Sequence, residues 1–361
     1  MHTISVIIPV YNAGEILKKS ITSVLQQSLP NIEVILIDDG STDGSSKICD
    51  TFAKENQNVS AYHTSNQGSG PARNIGISHA DGEFAYFVDA DDILPDGALQ
   101  SLWDGTKGGH DLVVGGYCAV DDHGGTVFEK RYRDGIYDGA DLRRHYADCF
   151  NDEGALYIQG APWNKLFSLT VIRENKVSFP PMKRHQDEAF IGRYMCYAKS
   201  VHYIDKCVYR YLRNDMKRMW DKFPKNYFDI IMQLRRERES NILLWNPDDT
   251  HTRDYADKEH LCNVIRAMEL TFSPKYHYTR RQRKAAIQSM SEQSGILFMQ
   301  IPNSAKWYPH TILTRCQHHQ SVYGLLKIKT WLMRTGILEI LKYGISGRSL
   351  FVHRTSKSCK T

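Results

Sequence analysis

The chain has no apolar run near the ~20 residues that a membrane-spanning helix needs, and its eight cysteines form no CxxC pair. The first absence argues against a membrane span. The second removes the spacing that zinc sites and small disulfide frameworks require, so reduced thiols are expected. A basic leader and a small-residue cleavage site are missing too. The apolar run at 4–10 is strand-like and is followed at once by Tyr11 and Asn12, so no signal peptide is expected. Internal repeats and low-complexity segments are also absent. Acid is scarce at one end: residues 271–361 carry fifteen Lys/Arg against two acidic residues, Glu292 and Glu339. That region has a balance of +13 and the preceding 270 residues −8, within a net charge of +5. An acidic body with a basic tail is expected to meet an anionic surface, either a membrane face or a nucleic acid. No RNA- or DNA-binding motif accompanies the charge, so nucleic acid is not the expected partner.

What is there is a regular alternation of short β-branched runs and amphipathic stretches. Strands are expected at 4–10, 33–37, 59–63 and 84–88, with helices at 14–27, 45–54 and 71–78. Such a series with short connections predicts an α/β fold built on a mostly parallel sheet covered on both faces. Ligands bind to sheets of this kind at the carboxyl edge of the strands. Further on, 111–116 reads as a strand and 124–139 as a hairpin or mobile loop. Residues 187–198 read as a helix, and 201–204 and 207–212 as paired strands. From Phe223 to about Lys342 the chain reads as mainly helical, with a break at 302–309.

Polar clusters fall at the expected carboxyl edge. Pro9, Tyr11 and Asn12 close the first strand. Asp38-Asp39-Gly40-Ser41-Thr42-Asp43 follows the second, and one of its paired carboxylates can accept a hydrogen bond from a base or sugar. Asp43 leads through Gly44 and Ser45 into a helix and is expected to serve that helix end. After the third strand, residues 66–74 bring glycines that allow close backbone approach, a helix start that offers N–H groups to an anion, and Arg73, a fixed charge suited to phosphate. Asp89-Ala90-Asp91-Asp92 follows the fourth strand. Asp89 and Asp91 point the same way along an extended segment and can converge on one ligand. Clustered carboxylates call for a cation or hydrogen-bond donors, and hard oxygens favour Mn2+ or Mg2+ bridged to a nucleotide's phosphates. Asp92 is expected to serve the turn.

The runs SVIIPVYN (5–12), LIDDGSTDGS (36–45), NQGSGPARNIGI (66–77) and YFVDADD (86–92) together resemble glycosyltransferase family 2, inverting enzymes of the GT-A fold. The resemblance implies that Asp39 reads the nucleotide base, most often uracil, in a pocket lined by Pro9, Tyr11 and Asn12. It implies Arg73 near the diphosphate, Asp89 near the ribose and Asp91 on the metal. The implied donor is a UDP-sugar, and the implied acceptor is a glycan, lipid-linked in many relatives, as in bacterial surface-polysaccharide synthesis. A catalytic domain is then expected over 1–223, with nucleotide-sugar binding in 1–105 and the acceptor side and base in 106–223. A helical basic region follows over 224–361.

In such a reaction negative charge grows on the leaving diphosphate, where a divalent ion acts as a Lewis acid, and a carboxylate takes the acceptor's proton. Asp148, Asp152, Glu153, Asp187 and Glu188 are candidates for that base. His185-Gln186-Asp187-Glu188 is similar to the family's Glu-Asp motif at a helix start, which implies Asp187 as the base, with Glu188 as the alternative and Gln186 in place of the usual Glu. Residues 161–167 are similar to a Trp-Asn-Lys-Leu run on the acceptor side. There the Trp163 indole offers a face to a sugar, unless it is buried in the core. Residues 209–213 resemble a strand whose late basic residue approaches the diphosphate, which makes Arg213 and Lys217 candidates.

In the tail, residues 323–342 interleave Lys327, Lys329, Arg334 and Lys342 with apolar residues and Trp331. This is either a helix lying on an anionic membrane face or one packed on the catalytic body, since Leu and Ile occur around most of its circumference. The location expected is cytoplasmic, with peripheral contact at the inner face of the cell membrane. Cys316, His318 and His319 lack a second cluster at zinc-finger spacing. Two other functions are open: the same chemistry on a protein or soluble acceptor, and a non-catalytic nucleotide-sugar-binding partner subunit, which the Gln186 departure prompts.

Overall fold

The structure, a computed structural model, describes residues 2–121, 125–150, 156–158, 160–212, 223–295 and 319–334. The chain divides into two compact units, one of residues 1–218 and 232–256, the other of 219–231 and 257–361.

The first unit is built on a nine-stranded sheet in which β1 (Ile4–Val10), β2 (Ile32–Asp38), β3 (Val59–His63) and β4 (Phe84–Phe87) run parallel in the order β3-β2-β1-β4. Apolar residues of β1 alternate between two cores. Ile7 joins Ile35, Ile37 and Phe87 on one face, and Val6, Ile8 and Val10 join Val34, Leu36 and Val88 on the other. A strand that is apolar on both sides has to be covered on both sides, which is why the sheet lies between helical layers. Helices α1 (Ile16–Leu25) and α2 (Ser45–Glu55) cover the second face, and α3 (Ser69–His79) the first. The last approaches closely because Gly76 lies over Ile7, where an added Cβ would come within 2.3 Å of the isoleucine Cγ2.

Register then sets the site. Val10 is level with Asp38, Asp38 with His63, and Ile7 with Phe87, so the polar runs after all four strands leave the sheet along one edge. The loop after β1 is fixed to the loop after β2. The Asn12 N–H donates to Ser41 Oγ at 3.1 Å, and the Thr42 N–H donates to Asn12 Oδ1 at 2.8 Å. Asn12 does this with φ 48°, a left-handed conformation that asparagine tolerates better than most residues.

Beyond β4 and α4 (Ala98–Asp104), β5 (Leu112–Val120) and β8 (Lys165–Ser168) extend the sheet, with β8 antiparallel to both β4 and β5. Residues 200–212 form a single strand, β9 (Ser200–Leu212), rather than the expected pair. It runs parallel to β5, and the register shift around Gly115 and Gly116 takes up the polar Asp205 and Lys206 that read as a turn. The expected hairpin at 124–139 is also replaced. β6 (Thr126–Lys130) pairs with β5 and β7 (Gly135–Asp138) with β9, so these neighbours in sequence join different strands. Short helices α5 (Gly139–Arg144), α6 (Tyr146–Phe150) and α7 (Leu169–Glu174) follow the turns, and α8 (Gln186–Met195) packs Phe190, Ile191 and Tyr194 into the first core.

The described residues that follow are mainly helical, in α9 (Tyr227–Trp245), α10 (Thr250–Leu270), α11 (Arg280–Gln293) and α12 (His319–Arg334). In the second unit Tyr227, Leu261, Val264, Met268, Ile287, Val322 and Leu326 share one core. A Thr279–Gln282 capping box starts α11. The expected break at 302–309 lies outside the described residues.

Candidate active site

The carboxyl edge opens into a cavity of about 560 Å³ whose walls include Pro9, Tyr11, Asp39, Gln67, Ser69, Lys183 and Gln186. The two aspartates that end β2 have different surroundings. Asp38 is buried and accepts from the Ser41 N–H, the Ser46 hydroxyl at 2.6 Å and His63 Nδ1 at 2.8 Å. Burial raises its pKa, but these hydrogen bonds outweigh that and hold it below the ordinary carboxylate range. His63 is pushed up in turn, by Asp38 and by Asp50 on its other nitrogen. Asp38 is therefore a framework anchor.

Asp39, 2% exposed, lines the cavity and accepts from the backbone N–H groups of Gln67 at 2.8 Å and Gly68 at 2.7 Å. The carboxylate thus holds the glycine-containing loop against the end of β2. An ionised carboxylate has about four lone-pair sites, so acceptor capacity remains on the cavity side. Tyr11 is largely exposed at the cavity rim.

After β4, Asp89, Asp91 and Asp92 separate into three environments. Asp91 is exposed. Asp92 is buried, accepts from the Tyr209 hydroxyl at 2.8 Å and the Leu212 N–H at 2.9 Å, and is pushed up to about 8 by burial and by Asp89. The same Tyr209 hydroxyl accepts from the Asp89 N–H at 3.0 Å, so the acidic turn is tied to the end of β9. Asp89 itself accepts from Arg73 Nη2 at 2.7 Å.

Arg73 is the hub of the site. Its other terminal nitrogen, Nη1, donates to Asp187 Oδ1 at 2.9 Å. The candidate base at the start of α8 and the first aspartate of the acidic turn, 98 positions apart in the chain, therefore share one guanidinium. Burial works against the arginine's charge, and Asp187 and Asp89 more than restore it. Asp187 keeps 32% of its side chain accessible. Burial pushes its pKa up and Asp89 adds to this, while Arg73, Lys165 and His185 pull the other way without cancelling it.

Other expected residues take different places. Glu188 is gripped by the Arg238 guanidinium, with Nε at 2.8 Å, and faces His185 Nδ1 at 3.4 Å. Burial raises its pKa, but Arg238 and His185 outweigh that and bring it down to about 2. So weak a base is a poor proton acceptor near neutral pH. Trp163 is buried, stacked on Tyr209 at 4.4 Å and edge-on to Tyr117 at 4.9 Å, so it packs in the core of the sheet's end rather than offering a face to a sugar. Gln186 is a cavity wall. Its Nε2 donates to Ser69 Oγ at 2.5 Å, and its Oε1 takes the space a Cβ at Gly70 would need. Asp148, on α6, pairs with His145, which ends α5. Arg213, Lys217, Asp152, Glu153, Cys316 and His318 lie outside the described residues.

Sequence reasoning missed two charged residues. Lys165 is fully buried and donates to the Ala161 carbonyl and Asn164 Oδ1, both at 2.7 Å, with its pKa pushed well down by burial. Only its place beside Trp163 in the 161–167 run could have pointed to it. Arg238 sits in a run of charged helical residues with no local signal.

Among the described residues no group of three His, Cys, Asp or Glu side chains is arranged to hold a metal by itself. A site for Mn2+ or Mg2+ made of one exposed carboxylate, with substrate phosphates and water completing the shell, is a common arrangement for these ions. The exposed Asp91 fits that arrangement.

Residues 5–162 match the family model described as Glycosyl transferase family 2. Over 248 residues the chain is 31% identical to the glycosyltransferase GlyG of Streptococcus pneumoniae, covering 67% of this chain and 81% of GlyG. It is 29% identical over 247 residues to a poly(ribitol-phosphate) beta-glucosyltransferase of Bacillus spizizenii, covering 64% of this chain and 37% of that enzyme. Among solved structures, residues 1–349 of S. aureus TarS in complex with UDP-GlcNAc superpose with a TM-score of 0.67 at 18% identity over 92% of each chain.

The Glu188–Arg238 pair yields a stability prediction. The folded pKa of Glu188 is depressed from 4.5 to about 2, so its contribution is complete above the unfolded pKa and lost as pH falls toward about 2. Glu188→Gln should cost about 3 kcal/mol near neutral pH and flatten the fall in stability across that acid window. Urea unfolding at a series of pH values checks this, and an unchanged pH profile would contradict it.

Proposed function

The chain belongs to glycosyl transferase family 2 and has the GT-A fold, and on that premise we propose that it transfers a hexose or N-acetylhexosamine from a UDP-sugar to a glycan acceptor in surface-polysaccharide synthesis, with inversion. The observation that carries the proposal is Asp187, a partly accessible carboxylate with a raised pKa, fixed through Arg73 to the acidic turn and next in the chain to the cavity-lining Gln186. The UDP-GlcNAc complex of TarS and the beta-glucosyltransferase likeness support the donor class and the polymer setting.

In this account Asp39 accepts from the base, with Pro9, Tyr11 and Asn12 around it, and Asp89 meets the ribose through the oxygen that Arg73 does not engage. Asp91 would hold Mn2+ or Mg2+. When bound, the ion supplies Lewis-acid stabilisation of the charge that develops on the leaving diphosphate. Asp187 takes the proton of the attacking acceptor hydroxyl. A carboxyl whose pKa is raised is the better base once ionised, and proton transfer of this kind is worth ~10²–10⁴-fold. Residues 1–105 serve the donor, 106–223 the acceptor and base, and 224–361 form the C-terminal region that carries the basic tail.

Transfer or hydrolysis of UDP-sugars should require an ionised Asp187, so activity should fall as pH drops through its raised pKa. Asp187→Asn should lower turnover by ~10²-fold or more and leave protection from thermal unfolding by UDP intact. Equal turnover in variant and wild type would remove Asp187 as base. Wild type that is stabilised by UDP-sugars but turns none over would favour the non-catalytic partner subunit.

A peripheral membrane contact is the second part of the proposal, supported by α12. Ile328 and Trp331, three residues apart and so on one helix face, are 57% and 58% exposed beside Lys327 in the most basic part of the chain. Among the described residues no helix is long and apolar enough to cross a membrane, so the contact would be interfacial. The full chain should sediment with phosphatidylglycerol vesicles and not with phosphatidylcholine vesicles. Replacing both Ile328 and Trp331 with Ser should weaken that binding by roughly tenfold or more. Absence of wild-type binding to either vesicle would refute the contact.

A further inference from the structure

A phosphate-binding arginine is expected to turn its guanidinium fork toward the ligand cavity, where two parallel N–H groups can grip an anion. Arg73 does not. Its side chain is only 4% exposed. Its two terminal nitrogens are each committed to a carboxylate, Nη1 to Asp187 and Nη2 to Asp89. The Phe179 ring lies 5.4 Å from its Cζ, and its Nε is buried without a hydrogen-bond partner. A charged side chain that accepts an unsatisfied N–H to keep this pose is held by the carboxylates themselves.

We propose that Arg73 is the positioning residue of the catalytic base, clamping Asp187 to Asp89, and not a ligand of the donor's diphosphate. The proposal rests on Asp187 being the base. Arg73 donates to Oδ1 of Asp187, which holds that oxygen in place while the other remains for the acceptor hydroxyl. Arg73 likewise donates to Oδ1 of Asp89.

The charged groups that face Asp187 are Arg73 from α3, Asp89 after β4, Lys165 on β8 and His185 before α8. Removing Arg73 deletes the cation that most favours the ionised base, so the acid limb of turnover has to move to higher pH. A diphosphate ligand would act differently, since its loss weakens nucleotide binding and leaves the titration of the base alone.

The test compares wild type, Arg73→Gln, Arg73→Lys and Asp187→Asn in the full chain, measuring kcat against pH, donor KM, and the affinity for UDP by calorimetry. For Arg73→Gln we expect kcat to fall by roughly 10²-fold, its acid limb to rise by about one pH unit, and UDP affinity to stay within about twofold of wild type, well under the tenfold that 1.4 kcal/mol would give. Arg73→Lys, which keeps the cation and loses the fork, should leave the limb near its wild-type place with kcat still reduced. A loss of UDP affinity of about tenfold or more, or a limb that does not move, overturns the proposal. If Arg73→Gln does not fold, Arg73→Lys decides: lower kcat with unchanged UDP affinity supports the clamp, and weakened UDP affinity overturns it. Wild-type turnover in Asp187→Asn would instead bring down the base assignment, and the clamp with it, in a separate assay.

Discussion

Two carboxylates sharing one buried guanidinium impose the main constraint on this molecule. A buried ion cluster repays its desolvation only when its geometry is good, and removing one member leaves charge stranded in a poor dielectric. The fold must therefore deliver α3, the turn after β4 and the start of α8 to the same place. It does so by ending four parallel strands at one edge, by letting Gly76 bring α3 down onto β1, and by packing Phe190 and Tyr194 of α8 into the core beneath. The outcome is that the Asp187 carboxylate takes an orientation set by tertiary structure and not by its own helix.

Around that centre the other acids divide according to their surroundings. Asp38 is saturated with donors and anchors the loop after β2. Asp39 binds the opposing loop by its backbone and still faces the cavity. Asp92 secures the acidic turn to β9 through Tyr209, which leaves Asp91 as the exposed acid of that turn. Glu188 is neutralised by Arg238 one position from Asp187, so two adjacent carboxylates at one helix start have opposite pKa directions, and only one suits proton abstraction.

Much of the fold was legible in the sequence, because β1 to β4 and the helices between them are local patterns of apolar spacing. The four polar runs were legible because each follows its strand directly. What was lost depended on partners distant in the chain. Asp205 and Lys206 look like a turn until pairing with β5 makes them a bulge within β9. Trp163 looks like a sugar platform until Tyr209 and Tyr117 close around it. Arg73 gives no local sign of its ion pair with Asp187, 114 residues away. Arg238 and Lys165 had no local pattern, since a charged helical residue and a lysine beside a tryptophan are both ordinary on their own.

The measurement that bears most directly on the account is the titration of the Asp187 carboxyl carbon by 13C NMR in the full chain, assigned with Asp187→Asn. The account predicts a midpoint above the ordinary aspartate value of 3.8, coinciding with the acid limb of sugar transfer. A midpoint at or below that value, or one unrelated to the acid limb, would contradict it.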